Sequence, residues 1–76
     1  MARGIRTYDR NERTVRIVVN CDILRDATHV LEGENHNRLA YRLDFACRGM
    51  HPMSDVDVEV FASELPEVER AVALVA

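Results

Sequence analysis

Two stretches of the chain alternate apolar and polar residues for long enough to predict strands. Over residues 38–48, Leu39, Tyr41, Leu43, Phe45 and Cys47 alternate with Arg38, Ala40, Arg42, Asp44, Ala46 and Arg48. A period of two sustained this long predicts a strand with one face buried and the other wet. Over residues 14–24, Val15, Ile17, Val19, Cys21 and Ile23 share one face, and Arg16, Val18, Asn20, Asp22 and Leu24 the other. β-Branched residues dominate this second stretch, as a pleated surface favours. Arg25-Asp26 interrupts the pattern and predicts a bulge, after which residues 27–32 continue as a strand into the loop Gly33-Glu34-Asn35-His36-Asn37. That loop has the composition of a hairpin turn. Pairing Glu32 with Arg38 places Asp22 opposite Arg48 and Ile23 opposite Cys47, so opposite charges meet on one face and apolar groups on the other.

The flanking segments supply partners for these strands. Residues 4–8 read as a short strand followed by the turn Asp9-Arg10-Asn11-Glu12. Residues 49–54 form a loop, and residues 55–62 resume alternation, with Val56, Val58 and Val60 facing one way and Asp55, Asp57, Glu59 and Phe61 the other. From residue 63 the period becomes helical, since Leu65, Val68, Val72 and Val75 fall on one stripe. Ser63 is the expected N-cap, Pro66 suits the first turn, and Glu64, Glu67 and Glu69 complement the positive helix end. The expected fold is α+β, a single domain over residues 1–76: a four- to five-stranded, mainly antiparallel sheet with one C-terminal helix packed on one face.

Size and charge narrow the partners. A domain of 76 residues buries only roughly 60% of its unfolded surface, so a disulfide, a metal or a second copy of the chain would help to hold it. Apolar residues make up 47% and charged residues 30%, which excludes a disordered chain. All ten basic residues are arginine. This reflects either codon usage or a need for planar, bidentate guanidinium contacts. Nine of the arginines lie in residues 1–48 against seven acids, whereas residues 49–76 hold Arg70 against six acids, for a net charge of −3. The basic start is followed by no apolar leader core, and the apolar run at residues 71–76 is far short of a membrane span. A cytoplasmic chain with no membrane partner is expected. Cys21 and Cys47 match no CxxC or finger spacing, and they are expected as neighbouring, reduced thiols.

Candidate chemistry is sparse. Met50, His51 and Met53 are soft donors for copper, but three on one loop make an incomplete set. Cys47 and His51, with Asp55 or Asp57 as orienting acid, have no specific catalytic spacing. Zinc held by the two cysteines with His29, His36 and His51 is not demanded by any spacing either. Asp55, Asp57 and Glu59 form a line of carboxylates, whereas hard cations want converging ligands. No cofactor, metal or enzymatic activity is therefore expected.

Two binding surfaces remain. On the outer face of the expected sheet, Val18, Leu24, Val30 and Phe61 lie without a covering helix, beside the acidic stripe of Asp55, Asp57 and Glu59 and the loop residues Met50 and Met53. That face is the expected contact for a protein partner or a homodimer. The function expected from it is a small non-enzymatic protein-binding module, such as a phage or mobile-element inhibitor or adaptor that occludes a partner's surface. A structural subunit of a larger assembly would carry the same traits. The alternative is a nucleic-acid-binding regulator using Arg3, Arg6, Tyr8, Arg10 and Arg13, arginines around an aromatic platform.

Overall fold

A computed structural model describes residues 5–8 and 10–76. Strand β1 (Arg6–Tyr8) and strand β2 (Thr14–Asn20) are followed by helices α1 (Cys21–Gly33) and α2 (Asn37–Cys47). Strand β3 (Asp55–Phe61), a single 3-10 turn (Ala62–Glu64) and helix α3 (Leu65–Val75) complete the described chain. The strands form one antiparallel sheet in the order β1-β2-β3.

The sheet is built where β-branched residues alternate. Val15, Ile17 and Val19 of β2 stand opposite Val60, Val58 and Val56 of β3 and face the helices. Asn11 shapes the link from β1 to β2, because its side-chain oxygen accepts from the Arg13 and Thr14 amides at 2.8 and 2.9 Å. Gly4 and Asp9, assigned above to a strand and a turn, lie outside the described residues.

The four- to five-stranded expectation is corrected. Among the described residues the sheet has three strands, and three helices cover it, two of them before β3. The strand predicted over residues 14–24 stops at Asn20, whose side chain accepts from the Asp22 and Ile23 amides at 3.0 and 3.3 Å and so caps α1. Cys21, Leu24, Ala27, Thr28 and Leu31 then fall on one buried helical stripe. The predicted strand over residues 27–32 is the second half of α1, and residues 33–37 join two helices rather than two strands. Asn35 turns the chain there with a left-handed backbone (φ 67°). So short a connection lays α1 and α2 side by side.

The predicted strand over residues 38–48 is helix α2. Leu39, Leu43 and Cys47, spaced four apart, line its buried side together with Ala40. Tyr41 and Phe45 lie on the opposite side, so the alternation mixed two helical faces. The predicted pairing of Asp22 with Arg48 and of Ile23 with Cys47 has no counterpart.

The C-terminal helix stands where its spacing placed it, with Leu65, Val68, Ala71 and Val72 buried and Pro66 in its first turn. A 3-10 turn precedes it in place of a simple Ser63 cap. Among the described residues the core is aliphatic apart from Cys21, Cys47 and Thr28, and it holds no aromatic ring.

Candidate functional site

The chain has two tyrosines, two phenylalanines and no tryptophan, and all four rings are exposed: Tyr8 at 42%, Tyr41 at 61%, Phe45 at 59% and Phe61 at 51%. An aromatic ring has a large area to gain from burial, so leaving every one of them outside a complete core is unusual. Each also lies under a guanidinium. Arg16 sits over Tyr8 at 5.8 Å, Arg42 over Phe61 at 5.4 Å, and Arg48 over both Tyr41 and Phe45 at 5.7 and 5.2 Å.

Three of these rings lie on or beside the outward face of α2. Tyr41 and Phe45 are one turn apart, and their centroids stack at 6.4 Å with 26° between the planes. Phe61, at the end of β3, is joined to α2 through Glu64. That carboxylate forms an ion pair with Arg42 and also accepts the Phe61 amide at 2.9 Å, which holds the guanidinium over the ring. Between these groups lies an open hollow of about 720 Å³ lined by Asn37, Arg38, Tyr41, Arg42, Phe61 and Glu64. Among the described residues Arg38 and Arg48 have no carboxylate partner, although both are exposed. The arrangement provides apolar contact area with guanidinium edges at its margins, a surface suited to binding.

The residues singled out from the sequence are dispersed. Asp55, Asp57, Glu59, Phe61 and Val18 do share the open face of the sheet, as their parity requires. Asp55 is engaged by Arg6 at 2.7 Å, and Asp57 by Arg16 at 3.5 Å, while half-buried Val18 stands opposite Arg6 and Asp57. The outer-face positions expected for Leu24 and Val30 are corrected: Leu24 is fully buried in α1, and Val30 packs against the core. Met53 is exposed at 72% and Met50 at 37%, both in the loop before β3.

In that loop the His51 ring accepts the Met53 amide at 3.0 Å, which commits Nδ1 to a turn. Among the described residues no group of three metal-ligating side chains comes together. No helix among them is long and apolar enough to cross a membrane.

Of the residues proposed for nucleic acid, Arg6 and Tyr8 sit on β1, and Arg10 and Arg13 are exposed beside the hairpin turn. Arg3 lies outside the described residues. Cys21 and Cys47 meet where α1 begins and α2 ends, each thiol 3.9 Å from the other's carbonyl oxygen. Both are free, and burial, followed by the contact with Cys21, pushes the Cys47 thiol up to about 12. Such a thiol is a packing group rather than a nucleophile.

No family model, curated protein or solved structure matches this chain. Alternation places Tyr41 and Phe45 inward with Leu43, which hides the α2 face from a reading by period two. Residues 38–48 contain no β-branched residue, and that was the available sign of a helix.

Proposed function

We propose that the protein is a non-enzymatic protein-binding module that acts by covering part of a partner's surface, with the outward face of α2 and Phe61 as its contact. The observation carrying this reading is the placement of the aromatic residues. The aliphatic core is closed without them, and Tyr41, Phe45 and Phe61 stand exposed together under Arg42 and Arg48. Tyrosine and arginine are the residues that most often anchor protein interfaces. An inhibitor, an adaptor or a subunit of a larger assembly would each use such a face.

The test is quantitative capture from the source cells by the full chain, with Tyr41→Ser/Phe45→Ser as the paired bait. The variant should keep its circular dichroism spectrum and lose the partner held by the wild type. Equal capture by both baits would overturn the reading, and so would material released by nuclease treatment.

A further inference from the structure

We infer that the partner's matching element is acidic: a protein segment that sets an apolar side chain in the hollow between Tyr41 and Phe61 and gives carboxylates to Arg38 and Arg48. This rests on the protein-binding reading above and adds the chemistry of the partner. The argument is charge complementarity. The whole chain carries −3, yet its outward α2 face carries Arg38, Arg42 and Arg48. The nearby acids are Glu64, already holding Arg42, Glu67, which shares a hollow with Arg38 but faces Arg70 and His36, and half-buried Asp44 on the flank toward Cys47.

The arginines are also prepared for carboxylates. Arg48 lies over Tyr41 and Phe45 at 5.7 and 5.2 Å from the ring centroids, so the two rings restrain a guanidinium that still has N–H donors to give a carboxylate. Arg38 and Arg48 are separated by roughly 15 Å along the helix axis at 1.5 Å per residue. Because the Arg48 guanidinium reaches back over Tyr41 and Phe45, a matching segment places its acids at most about ten residues apart if helical, or at most about four to five if extended, on either side of the apolar group. A bare polyphosphate chain is a poorer fit, because it has no apolar group to set in the hollow between Tyr41 and Phe61.

A random peptide library displayed on phage and selected against the full chain tests this. The expected peptides are enriched in Asp and Glu on either side of Leu or an aromatic residue. Their affinity for Arg38→Glu/Arg48→Glu should fall by about tenfold or more. Arg38→Gln/Arg48→Gln serves as a milder variant should charge reversal disturb α2. Peptides without acidic enrichment, or bound equally by the arginine variants, overturn the acidic partner. The protein-binding reading survives that result if Tyr41→Ser/Phe45→Ser still abolishes binding. Peptides indifferent to both sets of variants overturn both inferences, as does a thymidine 20-mer that displaces them from α2. Self-association in sedimentation, lost in the arginine variants, would support the chemistry and make the acidic element part of a second copy.

Discussion

The open face of the sheet and the outward face of α2 are both exposed, and they treat their charged groups differently. On the sheet, Arg6 is answered by Asp55 and Arg16 by Asp57, and Arg16 also covers Tyr8. Two of the three strand carboxylates on that face are thus answered within the chain, Glu59 standing opposite Arg16 in register, and its apolar groups are Val18, Tyr8 and, at the edge toward α2, Phe61. On α2, Arg42 has Glu64, but Arg38 and Arg48 face water beside Tyr41 and Phe45. Exposure is common to both faces. The distinguishing property is what the chain leaves unanswered, because such groups can gain most from a partner.

The strongest way to break the comparison is to attack α2 from beneath. Leu43 is fully buried on the inward side, and Leu43→Ala should cost about 2–5 kcal/mol, a large part of the stability of so small a domain. Phe45→Ala, on the outward side, removes a ring stack and a cation–π contact worth about 1–2 kcal/mol together at an exposed site. Urea denaturation followed by circular dichroism measures both. Comparable losses would mean that Phe45 belongs to the core and that the outward face is not a free surface.

The two faces of α2 also show where the sequence was legible. Strands β2 and β3 were readable because Val15, Ile17, Val19, Val56, Val58 and Val60 combine period two with β-branching. Helix α3 was readable because Leu65, Val68 and Val72 keep a helical spacing. Between them, residues 21–48 carry patterns that satisfy both periods for short distances. Leu39, Leu43 and Cys47 lie two apart from Tyr41 and Phe45, so inward and outward positions alternate as in a strand. Three signals resolve the ambiguity. Residues 38–48 lack β-branching and contain the helix formers Leu, Ala and Arg. Asn20 is a favoured N-cap ahead of Asp22. Asn35 tolerates the left-handed turn between the helices. Missing α1 and α2 also displaced the candidate site, because the residues assigned to the inner side of a long strand included the rings that α2 presents to solvent.

A smaller effect sharpens the comparison from the sheet side. The Arg16–Asp57 pair is about half exposed at both partners, and Asp57→Asn should cost less than about 1 kcal/mol. The loss should shrink further as salt screens the remaining charges. Partner capture should be unchanged. A variant that lost the partner while keeping its thermal midpoint would move the binding face from α2 to the sheet.

The smallest expected effect concerns a third surface, where Arg70 of α3 donates to Glu34 at 2.6 Å and to Glu67 at 3.0 Å, tying α3 to the end of α1. The hydrogen bonds from Arg70 hold the Glu34 carboxyl below its ordinary value of 4.5, and nearby His36 acts in the same direction. A carboxylate whose pKa is depressed in the folded state stabilises above its unfolded pKa, and that contribution is lost as pH falls through the folded value. Glu34 is exposed to solvent screening, so the effect is slight. The gap in thermal midpoint between wild type and Glu34→Gln should be present at about pH 5 and above and close below about pH 4. Arg38 and Arg48 keep their charge throughout this window. The gap between wild type and Arg38→Gln/Arg48→Gln should therefore follow no such acid step, unless those arginines have carboxylate partners after all. An acid step there of the same size as at Glu34 would remove the contrast between answered and unanswered charges on which the α2 face was distinguished.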